Sequence, residues 1–345
     1  MYPRQDDRTG FYGFWDRDGW AVHPQFGYAH RFVSGYAAVD LVDGRSGLIR
    51  SDGRILLLDE ICGGKAPIQD EHCSFTGFGG GYQSLSPRYA VVRTKNGAQH
   101  KWGLIDSQLN YRPLTHNAFT TAAAVKACTE HVVIFHASGR GSESVCGLFN
   151  LKDGRLDLPI EFSCIYPSNE QIWVVSRTVG ESPASQQYYF YDVSKREFLP
   201  GSFSFALPFS CGLGAVRAGE WNSSGRSYFV DKDLRPAFNA EFDEVGPFSY
   251  DLAAVYNNGD AGYIDTTGEM RLLLPYVDLQ AFNELGLAIA NRDSEEWDID
   301  IIDREGQPRL SELETAVFWE GDFPYFEITK YGEEHLYDLN LLELF

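Results

Sequence analysis

The sequence predicts an all-β protein, a β-propeller-like array of four-stranded repeats, and three observations carry that reading. The chain of 345 residues holds 24 Phe, 19 Tyr and 7 Trp, side chains that favour strands. Its 34 Gly supply tight turns between them. Most tellingly, a motif close to Gly-aromatic-Ile-Asp-x-x-Gly recurs down almost the whole chain. Its clearest copies begin Gly13-Phe14-Trp15-Asp16, Gly103-Leu104-Ile105-Asp106, Gly147-Leu148-Phe149-Asn150 and Gly262-Tyr263-Ile264-Asp265.

With the motif Asp as a ruler, equivalent positions fall at Asp16, Arg50, Asp106, Asn150, Asp192, Asp231, Asp265, Asp303 and Asp338. The first and last are 322 residues apart, which over eight intervals gives a period of about 40 residues, within the range of repeat proteins. That length suits four short strands.

Within each unit the order is constant. A small-residue strand comes before the motif, as in Gly35-Tyr36-Ala37-Ala38-Val39, Arg88-Tyr89-Ala90-Val91-Val92, Gly212-Leu213-Gly214-Ala215-Val216, Leu252-Ala253-Ala254-Val255 and Gly286-Leu287-Ala288-Ile289-Ala290. The motif strand follows, then a turn with Asp18-Gly19, Asp52-Gly53, Asp153-Gly154 or Thr267-Gly268, where Gly tolerates the positive φ of a tight hairpin. A return strand comes next, often ended by proline (Pro24, Pro113, Pro159, Pro200, Pro236, Pro275), which has no N–H to give a ladder. Aromatic segments such as Glu241 to Phe248 and Tyr276 to Phe282 read as the fourth strand.

The order aromatic-Asp, Phe-Ser, Ala-Ala-Val, Lys-Trp-Gly-Leu-Ile-Asp resembles the WG-repeat family of bacterial proteins, and Lys101-Trp102-Gly103-Leu104-Ile105-Asp106 matches its signature literally. Other copies depart from it. Arg50 and Asn150 replace the Asp, Asp300 takes a Gly position, and the copies near Tyr191 and Phe229 lack the Gly. The resemblance implies a β-repeat architecture and transfers no active site. The physics agrees with a structural role: a strand Gly admits a close neighbour, and an Asp before a turn binds backbone groups two residues on.

One such unit cannot bury both faces of its sheet, so units stack. A propeller of seven or eight blades across residues 1–345, read as a single domain, is favoured over an open β-solenoid because the apolar ending Leu339 to Phe345 reads as paired and buried. The ninth motif copy then completes the last blade or lies outside the ring.

Forty-nine acids against 29 bases leave a formal charge of −20. Such a surface repels phosphate backbones, which argues against nucleic acid and for a basic or neutral protein partner. The N-terminus has no apolar stretch of the signal-peptide kind and no run is long enough to span a bilayer, pointing to the cytoplasm and away from membranes. Six cysteines without Cys-x-x-Cys spacing read as buried free thiols. In an exported chain they would offer disulfides, and Asn222-Ser223-Ser224 a glycosylation acceptor.

Two departures from the period are candidate contact regions. The interval from Arg50 to Asp106 is 56 residues, and its excess near 61–87 includes Gly77-Phe78-Gly79-Gly80-Gly81-Tyr82, with no Gly-Lys-Ser/Thr to make a nucleotide loop. Phe78 and Tyr82 are its candidate partner-binding residues. The second region, Asp293 to Asp300, gathers five acids around a Trp; Asp293, Glu295, Glu296 and Trp297 are its candidates for a basic partner, since the ligand alternation of a calcium loop is missing. Arg177 to Gln187 reads as a simple polar loop.

No Gly-x-Ser-x-Gly, His-Glu-x-x-His or Walker-type loop occurs. His131 and His136, an odd number apart in one strand, face opposite sides and share no metal. The expectation is a non-enzymatic interaction module without cofactor or metal, in its sharpest version an immunity or antitoxin-like protein that neutralises a basic toxin. The alternative is a carbohydrate-binding or carbohydrate-cleaving propeller, whose paired carboxylates no sequence pattern singles out.

Overall fold

The computed structural model describes the chain except residues 17–18, 65–88, 97–98, 123, 129, 138–143, 181–185, 220–224, 293–297, 321, 339 and 345. The described strands form eight antiparallel sheets, each a meander that follows chain order. These are the blades of an eight-bladed β-propeller. Helix is limited to single turns at Leu58–Ile61 and Asn117–Phe119 among the described residues.

By its contacts the chain divides into two compact units: Met1–Glu161 with Glu320–Pro324, and Phe162–Trp319 with Tyr325–Phe345. In the first, one sheet has six strands, in which the long strand Gly19–Ala29 pairs through its first part with Tyr12–Asp16 and through its last part with Tyr36–Leu41. That sheet carries both the Asp16 and the Arg50 turns, so nine motif copies fit eight sheets. In the second unit the sheet Glu244–Val245, Leu252–Asn257, Asp260–Asp265 and Met270–Leu274 shows the repeat most plainly.

The motif Asp closes the hairpin after its strand. One carboxylate oxygen accepts the N–H groups two and four residues on: Gln108 and Asn110 to Asp106, Asp233 and Arg235 to Asp231, Thr267 and Glu269 to Asp265, Glu305 and Gln307 to Asp303, Asn340 and Leu342 to Asp338, all at 2.8–3.1 Å. At Asn150 and Asp192 the turn is one residue longer and the oxygen takes positions two and three on. Where Arg50 stands in place of the Asp, Asp52 accepts the Arg54 N–H instead. The residue at left-handed φ in these turns is glycine at Gly268 (φ 84) and Gly306 (φ 76) but leucine at Leu109, Leu234 and Leu341.

The motif Gly does what a close approach requires. A Cβ at Gly103 would run into the Tyr111 ring, one at Gly262 into the Leu272 carbonyl, one at Gly147 within 2.7 Å of Ile160, and one at Gly13 within 2.5 Å of the Val22 carbonyl. The return strand therefore lies directly over the motif strand.

Apolar faces are buried between neighbouring sheets. In the second unit the aromatic residue of a motif strand meets the Phe ahead of the next small-residue strand: Phe190 with Phe209 at 5.0 Å, Phe229 with Phe248 at 4.8 Å, Tyr263 with Phe282 at 4.5 Å. In the first unit Phe14 meets Phe32 in the same way at 4.9 Å. Each fully buried aromatic contributes about 1.5–3 kcal/mol. The small-residue strands are covered on both faces, as at Ala253, Ala254, Ala288 and Ala290, and this is why they read as unbroken apolar runs.

Several expectations need correction. The aromatic segments form strands of only two residues, Glu244–Val245 and Asp278–Leu279, and each starts the next sheet, because the flanking ring is drawn into the core. Pro24 and Pro159 lie inside strands rather than at their ends: Pro24 beside a register shift, Pro159 in the last strand of its sheet, where no ladder N–H is needed. Arg177 and Thr178 pair with Gln187 and Gln186, so part of that loop is hairpin strand. Cys62, Cys128 and Cys146 are buried as expected, but Cys164 is half-buried and Cys211 exposed on a turn at φ 53. The C-terminal segment is paired through Tyr337 and Glu343, yet Leu342 is exposed. Asn222-Ser223-Ser224 lies outside the described residues.

Gly103→Val should cost about 1–3 kcal/mol through overpacking against Tyr111, whereas Gly246→Ala, whose new Cβ meets nothing nearer than 3.6 Å, should be tolerated; denaturant unfolding of the two variants checks this. Bonds led by the Thr267 hydroxyl hold the Asp265 carboxyl below the usual carboxylate range. Its stabilising contribution is then complete above the unfolded value of about 3.9 and is lost as pH falls through the lower folded value. Asp265→Ala should cost about 1–2 kcal/mol at pH 7. Asp265→Asn should cost less and, measured as melting temperature against pH, should soften the acid transition.

Candidate functional site

Because the chain repeats, its own copies show what each position ordinarily holds, and among the departures two set a buried hydrogen-bonding amide or carboxylate in the slot. The first is Asp300, in the slot that is glycine at Gly262. The second is Asn150, in the slot of the turn-closing Asp.

Asp300 is fully buried in the strand Ile299–Asp303, opposite Ala290. Its Oδ2 accepts hydrogen bonds from the Tyr276 hydroxyl at 2.6 Å, from Arg292 Nε at 2.9 Å and from Arg292 Nη2. Its Oδ1 is also buried and has no hydrogen-bond partner among the described residues. The Arg292 guanidinium lies 5.5 Å from the centre of the Tyr276 ring, and Asp298 Oδ2 is 4.0 Å from its Nε. Tyr276 is buried to 5% exposure, while the Arg292 side chain keeps 42%. Burial, reinforced by its bond to Asp300, pushes the Tyr276 hydroxyl up to about 12, so at neutral pH it is a donor. The bond to Asp300 raises Arg292 above its ordinary value, so it stays charged.

Asn150 explains itself once its neighbours are placed. Its Oδ1 caps the turn as an Asp would, and its Nδ2 donates to Asp157 Oδ2 at 2.9 Å. A carboxylate at 150 would set two negative oxygens against each other in a buried place. His131 completes the group, with Nε2 3.2 Å from the same Asp157 oxygen. His136 contacts other groups, the Ala118 carbonyl and Thr121, so the two histidines diverge as their odd spacing requires. Among the described residues no group of three or more His, Cys, Asp or Glu is arranged to hold a metal ion.

The expected contact residues Phe78, Tyr82, Asp293, Glu295, Glu296 and Trp297 all lie outside the described residues. What is described is the foot of the second region: Arg292 and Asp298 flank it, and Asp300 anchors Arg292. Asp300 was visible in the sequence as a broken signature. Tyr276 and Arg292 were not, because the first is 24 residues from Asp300 and gave no motif of its own.

The family model of the WG containing repeat matches residues 12–44 and 229–259, as the resemblance in the sequence anticipates. No curated protein matches the sequence. Among solved structures, the chain is similar to a eukaryotic initiation factor over 99% of this chain and 94% of that one, at 9% identity and a TM-score of 0.55. It is also similar to Porphyromonas gingivalis dipeptidyl peptidase 4 over 92% of this chain and 58% of that one, at 10% identity and a TM-score of 0.52. Identities this low speak for fold alone. No described helix is long and apolar enough to cross a membrane.

Asn150→Asp restores the repeat's usual residue, yet should destabilise the protein at neutral pH, since like charges in contact raise a carboxyl pKa. The raised folded value means the loss is present above the unfolded value and is recovered as pH falls below it. A melting-temperature difference from the parent that is large at pH 7 and shrinks towards pH 4 is the expected outcome.

Proposed function

We propose that this WG-repeat β-propeller is a non-enzymatic protein–protein interaction module whose natural partner is basic. One observation carries the reading: the signature Gly and Asp residues are spent on the chain's own turns and close contacts, while the chain as a whole keeps a formal net charge of −20. Rigid sheets hold a contact face without ordering cost on binding, and opposite charge speeds encounter and excludes wrong partners. The sharpest version is an immunity or antitoxin-like protein in the cytoplasm that blocks a basic toxin. Recognition of nucleic acid runs against the charge.

A carbohydrate ligand is the second reading. It is favoured by Trp15 and Trp20, half-buried and edge to face at 5.0 Å, with the Arg4 guanidinium 4.6 Å over Trp15. A thermal-shift screen of oligosaccharides separates the two, because a ligand of the native state raises its melting temperature.

For the basic-partner reading, affinity of the purified partner should fall about tenfold or more between low and physiological salt, where screening shortens to about 8 Å. Titration calorimetry at both salts measures this. Salt-independent affinity, or a shift with a sugar and none with basic proteins, would count against it.

A further inference from the structure

The ion pair of Arg292 and Asp300 is built in an unusual way. A guanidinium and a carboxylate pair best as two parallel bonds, one to each oxygen. Here both Arg292 donors go to Oδ2, which also takes the Tyr276 hydroxyl, and the equally buried Oδ1 has no partner among the described residues. An acceptor buried without a donor is costly, and the same slot takes glycine at Gly103 and Gly262 and tyrosine at Tyr189 and Tyr228, so the fold does not require a carboxylate there. What surrounds the guanidinium is a cation receptor: a buried carboxylate as floor, the Tyr276 ring 5.5 Å away as wall, and Asp298 at the rim, 4.0 Å off. Planar, weakly hydrated guanidinium suits such a place better than ammonium does.

We propose that Asp300, Tyr276 and Asp298 form a guanidinium-binding site, that Arg292 is its tethered occupant, and that an arginine of a basic partner displaces it. Arg292 is free to leave without stranding itself, because its side chain is 42% exposed to water. An incoming arginine with a different approach spans both carboxylate oxygens and supplies the donor that Oδ1 lacks. The identity of the natural occupant rests on the basic-partner reading, whereas the existence of the site does not.

The test is chemical rescue. Arg292→Ala vacates the site and leaves the Asp300 carboxylate uncompensated, so the variant should melt lower than the parent. Guanidinium chloride at about 10 mM should recover a large part of that loss, since a ligand bound only by the native state stabilises it. The same concentration of sodium or ammonium chloride should not, and neither should guanidinium act on Arg292→Ala combined with Asp300→Gly. If Arg292→Ala does not fold, Arg292→Gln, shorter and uncharged but still a donor, carries the same measurement. A ten-residue arginine peptide should bind the vacated variant about tenfold more tightly than the parent, and a lysine peptide should show a smaller gain. Equal stabilisation by guanidinium, sodium and ammonium, or rescue that survives Asp300→Gly, would overturn the site. Rescue in a protein for which no basic partner is found would keep the site and remove the basic-partner reading.

Discussion

The hairpins after Asp106, Asp231, Asp265, Asp303 and Asp338 leave amide groups two and four residues on that no strand ladder satisfies, and a single side-chain oxygen takes both. The rest of the architecture depends on that clamp. With the turn fixed, the return strand is carried back over the motif strand at a separation that only glycine admits, as at Gly103 beneath Tyr111 and Gly262 beneath Leu272. With the return strand in place, the small-residue strands are left covered on both faces, and rings such as Tyr263 and Phe282 fill the space between sheets. Where both are present, as at Gly103 with Asp106 and Gly262 with Asp265, the turn-closing oxygen and the strand glycine form one physical unit.

A protein built from copies of one unit places its chemistry where the copy is broken. At Asn150 the break is a repair, since Asp157 already brings a carboxylate to that point and an amide can both cap the turn and donate to it. At Asp300 the break adds a charge where glycine would serve the fold, and the chain provides Arg292 and Tyr276 to hold it. The first departure makes sense as structure alone. The second leaves a buried oxygen without a donor among the described residues, and the turns and close contacts of the repeat give no reason for that.

Much of the fold was legible in the sequence because the clamp and the close approach each demand a particular residue type. Asp106, Asp231, Asp265, Asp303 and Asp338 mark the period, and Gly103 and Gly262 mark the motif strand ahead of two of them. Blade number was harder to read: the strand Gly19–Ala29 serves two motif copies in one sheet, and nothing in its composition announces a shared strand. Strands of two residues, such as Asp278–Leu279, were read too long because the buried ring at Phe282 signals core rather than ladder. The cation receptor was half visible. Asp300 stands out against Gly262, but its partners come from eight and 24 residues earlier, brought together only by the register of three strands.

The rest of the architecture follows from the side-chain oxygen that closes these turns. Amide hydrogen exchange in the native protein tests it most directly, at Thr267 and Glu269, Glu305 and Gln307, and Asp233 and Arg235, turn residues with no interior strand to shield them. The account predicts protection at these amides approaching that of the strand interiors. Exchange at the rate of an open loop would mean that the turns are held by something else, and the account would fail at its base.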